Sequence, residues 1–322
     1  MREAAFVKQN EKRWESFESH LKQPEQANPD QLADYFVQLT DDLAYAQTHY
    51  PKSNTAVYLN NLAAKVHQAI YRNKKEDRNR IVTFWKEELP QLYYEARRPL
   101  LYAFLIFIVS SGVGALSAAH DDTFVRLILG DAYVNMTLNN IEKGDPMAVY
   151  KSMHQSDMFF AITLNNIRVS FMAFAMGLLI SVGSGFIMFY NGVMLGAFQY
   201  FFYQKGLLLT SLLTIWIHGT LEISAIVLAG AAGLVMGNSI LFPGTYPRME
   251  SFRRGARRGL KMVIGLVPIF ITAGFLESFV TRLTEWPALI KLTIIGLSAF
   301  FIIYYFVIYP TKRSTHGTQS ED

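Results

Sequence analysis

The sequence predicts an all-α, polytopic membrane protein, with a small N-terminal helical bundle ahead of about six transmembrane helices. Three observations predict it. The first is where the charges fall: residues 1–98 hold 15 of the 30 Lys+Arg and 14 of the 26 Asp+Glu in a chain of 322 residues. The second is what remains. No charge appears over the 36 positions from Val169 to Gln204, nor over the 24 from Ile223 to Tyr246. A water-soluble domain cannot hide runs of that length, whereas a helix of roughly 20 apolar residues spans a bilayer. The third is the position of the basic clusters. Arg97-Arg98 precedes one apolar run, and Arg253, Arg254, Arg257, Arg258 and Lys261 precede another, as expected of segment ends on the cytoplasmic side.

The elements follow in order. Residues 2–21 carry Phe6, Trp14, Phe17 and Leu21 at helical spacing. Asn28-Pro29-Asp30 starts a second helix, with Leu32, Tyr35, Phe36, Leu39 and Leu43 along one stripe up to Tyr50-Pro51. A third runs from about Ser53 to Asn73, using Val57, Leu59, Leu62, Ala63, Val66 and Ile70. After the charged stretch Arg72–Arg80 a fourth covers Ile81 to Leu92, broken near Pro90. Four short amphipathic helices make a cytoplasmic bundle over residues 1–96. These residues contain no apolar signal-peptide core, so a cleavable leader is not expected.

The membrane domain is expected over residues 97–310, with spans at 99–119, 167–189, 192–204, 207–237, 262–280 and 289–309. The stretch 192–204 is short enough to be a re-entrant half-helix, and its predicted start is the break at Asn191-Gly192. Residues 120–158, with six acids and three bases, form the outer segment, and 311–322 the cytoplasmic tail. An odd number of crossings must separate the outer segment from the arginine cluster. Six helices with both termini inside satisfy this.

Composition narrows the chemistry. Without cysteine there is no disulfide, thiolate metal site or cysteine nucleophile. The net charge of +4 is accounted for by the membrane-flanking arginines, so no nucleic-acid partner is expected. No phosphate-cradling glycine loop is present, and Ser181 and Ser184 have no base beside them in sequence.

Polar residues inside apolar spans are costly and need a reason. The candidates are Asn165, Arg168, Asn191, His218, Glu222 and Glu277, with Asn166 adjacent to the first. His218 and Glu222, four apart, share a helix face with Gly230, Gly233 and Gly237. Gly177 and Gly185 lie eight apart with Ser181 between them, and Gly192 and Gly196 lie four apart. Small residues at these steps let another backbone approach, so all of these glycines are expected at helix contacts. Three readings compete for the polar set. Arg168 neutralises Glu222 as a structural lock, with Asn165 and Asn191 tying helix ends. Alternatively His218, Glu222 and Glu277 bind a proton or ion in transport. Or His218 and Glu222 are two ligands of a metal, which requires a third at membrane depth, from Glu277 or an Asn. The expectation is no metal and no cofactor.

Asn165-Asn166-Ile167-Arg168-Val169-Ser170 with Phe174, Gly177, Gly183, Gly185 and Asn191-Gly192-Val193-Met194-Leu195-Gly196 resembles the first signature block of the stage II sporulation protein M family. His218-Gly219-Thr220-Leu221-Glu222-Ile223-Ser224-Ala225-Ile226, running into Ala229–Leu234, resembles the second. Phe275-Leu276-Glu277-Ser278-Phe279-Val280-Thr281 is similar to a later stretch, with Arg282 where Pro often follows. The N-terminal third looks like the long form found outside spore formers. The resemblance implies a non-enzymatic component of a membrane or envelope complex in the cytoplasmic (inner) membrane. As partners it implies the bilayer, envelope proteins or a MoxR-type AAA ATPase; a homodimer through the glycine steps is a further expectation. The alternative is a proton- or ion-coupled transporter or channel.

Overall fold

The computed structural model describes residues 1–21, 29–72, 80–121 and 123–312, and among these it is all-α, without strands. Asn28 at the expected helix start, most of the charged stretch before Arg80, and the tail from Arg313 lie outside the described residues. The chain forms two compact units, Met1–Val82 and Thr83–Asp322.

The first unit is a bundle of α1 (Glu3–Leu21), α2 (Pro29–His49) and α3 (Asn54–Arg72). The stripes read from the sequence meet here, with Phe6, Trp14, Phe17, Leu39, Ala46, Leu59, Leu62, Ala63 and Val66 as the core. Burying a Trp, Phe or Leu side chain is worth about 1.5–3 kcal/mol, and the one polar group this brings inward is paired: Trp14 Nε1 donates to Asp42 at 2.9 Å. Val57, read into the third stripe, is instead exposed.

The fourth helix departs from the sequence reading. Its first turn, α4 (Arg80–Thr83), leads into a π turn, Phe84–Glu88, and then α5 (Leu89–Glu95); the π turn sits just before Pro90, whose missing N–H takes one rung out of the continuous helix. From Thr83 onward this segment packs with the membrane unit and not with the bundle, so the boundary falls at residue 82 and not 96. The cause is visible in Leu89, Tyr93 and Ala96, which are buried against Met262, Val263, Leu266 and Phe306. Trp85 Nε1 donates to the Gly265 carbonyl at 3.3 Å and Tyr309 to that of Lys86 at 3.0 Å. Ion pairs Arg258–Glu95 and Lys261–Glu88 tie the same segment to the basic cluster.

Five segments of the described residues are long and apolar enough to cross a membrane. They are α6 (Arg97–His120), α9 (Gln155–Ala175) with its 3-10 turn to Leu178, α11 (Leu208–Leu241), α12 (Arg248–Phe275) with a π turn over Leu276–Val280, and the stretch from Ala288 to Lys312 that opens with α13 (Ala288–Ile303). Between α9 and α11 runs α10 (Val182–Gln204), 23 residues without a charge, about 34 Å long at 1.5 Å per residue. Asn191, Gln199 and three tyrosines interrupt its apolar side chains. The segment between α6 and α9 folds into α7 (Phe124–Leu129), α8 (Asp131–Glu142) and a 3-10 turn at Ala148–Lys151, and Val125, Val134 and Met147 cover Ala197, Phe201 and Phe202 near the end of α10.

The expected break at Asn191-Gly192 is absent, and both residues lie inside α10. The chain turns at Leu179–Ser181 instead, where Ile180 and Ser181 take φ of 54° and 68°. A β-branched residue rarely adopts positive φ, so the surroundings must impose it. They do. Gly177 abuts the Gly233 backbone, Ser181 abuts Gly237, and Ser184 Oγ donates to the Ala173 carbonyl across the turn at 2.5 Å. The expected spans 167–189 and 192–204 are therefore two full-length helices, ending and starting about ten residues earlier.

The centre of the unit is α11, which packs against α6, α9, α10, α12 and α13. Glycines set its distances. A Cβ at Gly177 would run into the Gly233 carbonyl oxygen, and one at Gly233 into Ser184 Oγ. One at Gly192 would sit 2.7 Å from the Phe107 carbonyl oxygen, and one at Gly196 would meet that of Ser111. Gly230 receives Met188, and Gly237 receives Ser181. Gly185 is the exception: nothing lies within 4 Å of its missing side chain, so it makes no helix contact.

Candidate functional site

On α11, His218 and Glu222 stand one turn apart, ten and fourteen residues after the helix starts at Leu208. Opposite them α12 runs antiparallel, and its final π turn, Leu276–Val280, carries Glu277 toward α11. A π turn inserts a residue into the helical ladder and re-aims the side chains beyond it. Antiparallel register then sets His218 against Thr281 and Glu222 against Glu277. His218 is 4% exposed. Its Nδ1 lies 2.9 Å from Thr281 Oγ1, and its Nε2 lies 3.8 Å from Glu277 Oε2. One ligand atom from each of His218, Glu222 and Glu277 falls within 4.8 Å of the others. A third ligand at membrane depth, the requirement that weighs against a metal in the sequence, is met by Glu277.

Two further elements close the site. Tyr150, in the 3-10 turn Ala148–Lys151, sets its ring edge-on to His218 with centroids 5.7 Å apart. Burial, and next the nearby Glu277 carboxylate, hold its phenol well above the usual tyrosine range. Arg282, just past Thr281, reaches the carbonyls of Lys151 and Met153 at 3.4 and 3.3 Å and so pins the chain that carries Tyr150. From α9, Asn166 is 5% exposed, and its Nδ2 lies beside the Glu222 carboxylate without reaching good hydrogen-bond geometry.

The polar set read from the sequence therefore divides. His218, Glu222 and Glu277 come together; Asn165 and Arg168 do not join them, being exposed on the outward face of α9. The expected Arg168–Glu222 lock does not form. Thr163, Asn166, Ser170, Ala173 and Gly177 make the buried face of that helix and its 3-10 extension. At 100° per residue Arg168 points some 200° away from Asn166. Asn191 ties no helix end: its Nδ2 donates to the Ile187 carbonyl of its own helix at 2.8 Å. Among the described residues no Lys or Arg pairs with Glu222 or Glu277. Asn166 stood among the polar candidates in the sequence but was not carried into the expected site; Thr281 and Tyr150 were passed over altogether. The four-residue step from Glu277 to Thr281 mirrors the one from His218 to Glu222 and was a usable signal; nothing around Tyr150 was.

Comparison with known families gives two matches. The model for stage II sporulation protein M covers residues 103–282, more than half of the chain. The chain belongs to the stage II sporulation protein M family. Its matched region runs from α6 to just beyond the π turn of α12 and so contains every residue of the site. A domain of unknown function (DUF8413) matches residues 4–72, the three helices of the first unit. No curated protein and no solved structure matches the chain.

Proposed function

We propose that this stage II sporulation protein M family member is a non-enzymatic scaffold or assembly component of a complex in the cytoplasmic membrane. Both termini then face the cytoplasm, and the segment 120–158 faces out. The observation that carries the reading is the packing of α10 on α6, and of the turn that follows α9 on α11, through backbone contacts at Gly114, Gly177, Gly192, Gly196 and Gly237. Where backbones touch, helices cannot slide or rock without opening voids. A membrane unit of that kind suits a fixed platform, and the separate helical unit 1–82 is the part available to cytoplasmic partners, a MoxR-type ATPase among them. Of the expected glycine steps only Gly185 is left open, so a homodimer through these steps would have to form there or use another face.

One observation favours a second reading. Among the described residues no Lys or Arg pairs with Glu222 or Glu277 of the cluster, as an ion or proton site in a transporter would also be arranged. The test that separates the two starts from tagged full-length protein and a variant lacking residues 1–72, each extracted gently from its own host. The scaffold reading expects a stoichiometric partner that the shortened chain loses. If instead both forms purify without partners, and wild-type liposomes show an ion or proton flux that Glu222→Gln abolishes, the transporter reading replaces it.

A further inference from the structure

We propose that His218, Glu222 and Glu277 form a binding site for a divalent transition-metal cation, for which zinc is the natural probe. The proposal stands apart from the scaffold reading and rests on four features of the site.

The donors are one imidazole and two carboxylates drawn from two antiparallel helical segments, their ligand atoms within 4.8 Å of one another. Ligands around a bound zinc stand about 2.0–2.2 Å from the ion, so small side-chain rotations close the set. The histidine is prepared for this task. With Nδ1 held by Thr281 Oγ1 at 2.9 Å, the Nδ1–H tautomer leaves the Nε2 lone pair facing Glu277. Thr281 is itself 1% exposed, so that hydrogen bond is fixed by packing.

Charge supplies the third feature. Two carboxylates lie side by side at membrane depth, and the basic side chains nearest in the fold are engaged elsewhere. Arg282 reaches backbone carbonyls, Lys151 pairs with Asp145 at 2.8 Å, Lys291 donates to the Thr284 carbonyl at 2.8 Å, and Arg168 faces outward. A dication neutralises both carboxylates at once, which no side chain here does. The fourth feature is Asn166. It is 5% exposed, and its Nδ2 lies beside the Glu222 carboxylate without reaching good hydrogen-bond geometry, which a carboxylate fixed by a metal, or a water on that metal, would complete. Such an ion would cross-link α11 to the π turn of α12 beneath Tyr150.

The test is metal analysis of the full-length chain purified in detergent without chelator, before and after stripping and reloading with zinc chloride. The expected result is about one equivalent of metal per chain, and a rise of several degrees in melting temperature on reloading. His218→Ala should cut the retained metal at least tenfold. Thr281→Val removes no ligand and keeps the side-chain volume, so it should fold and bind about 10–100-fold more weakly, as expected for loss of an outer-shell partner. That graded loss is the readout a merely destabilised variant would not give. Manganese or iron retained in place of zinc, and lost in the same variants, would uphold the site. A wild-type chain that stays metal-free after exposure to zinc and manganese, with no melting shift, would overturn it. So would an undiminished equivalent of metal in His218→Ala.

Discussion

Asn165, Asn166 and Arg168 lie within four consecutive positions, and only the middle one reaches the site. The sequence alone left that choice open, because polar residues so closely spaced point in different directions around a helix. What fixes the phase is the company of small and hydroxylated residues: Thr163, Ser170, Ala173 and Gly177 continue the Asn166 face. His218 and Glu222 were legible for the opposite reason, since their four-residue spacing carries its own phase. The outward position of Arg168 has a measurable consequence. A buried ion-pair partner costs 3–5 kcal/mol when removed, whereas an exposed side chain away from packing contacts stays within about 0.5 kcal/mol. Arg168→Gln is therefore expected to leave melting temperature and expression close to wild type; a loss of many degrees would restore the lock with Glu222.

Among the elements, the membrane helices could be read from apolarity, and their ends could not. The break expected at Asn191-Gly192 rested on a dipeptide that favours turns in water. In a membrane helix the Asn bonds the carbonyl one turn back, and the Gly serves helix contact, here against Phe107 and Ser110 of α6. The actual turn at Leu179–Ser181 carries no glycine where φ turns positive, so its signal lay in the flanking Gly177, Gly183 and Ser184. The fourth helix was placed in the bundle because amphipathicity says that a face is buried and not against what. The glycines make a paired prediction. Gly185→Ala meets open space and gains helix propensity, so it should stabilise by about 0.5–1 kcal/mol or be neutral. Gly177→Ala drives a methyl into the Gly233 backbone and should cost about 1–3 kcal/mol or more. Thermal unfolding of the two variants in one detergent is the check, and equal effects would mean that the α9–α11 contact is looser than described.

For the whole molecule, the family match and the apolar helices agree on a multi-pass membrane protein, and its most buried helix is the 34-residue α11, long enough at about 51 Å to exceed a bilayer core of about 30 Å. The helix α10 interrupts its apolar side chains with Asn191, Gln199 and three tyrosines. It lies along α6 with Gly192 and Gly196 in backbone contact. That bears on how the chain is made. A segment emerging from the ribosome is sorted into the bilayer by its own apolarity unless a neighbour already lodged there takes it up. For α10 the neighbour is α6, synthesised more than sixty residues earlier. Topogenesis should then depend on packing: in a translation-arrest series ending just beyond Gln204, replacing Gly196 with Leu is expected to lower the fraction of chains in which α10 is inserted, although the substitution makes that helix more apolar. Insertion that rises with the added apolarity would show that α10 enters on its own.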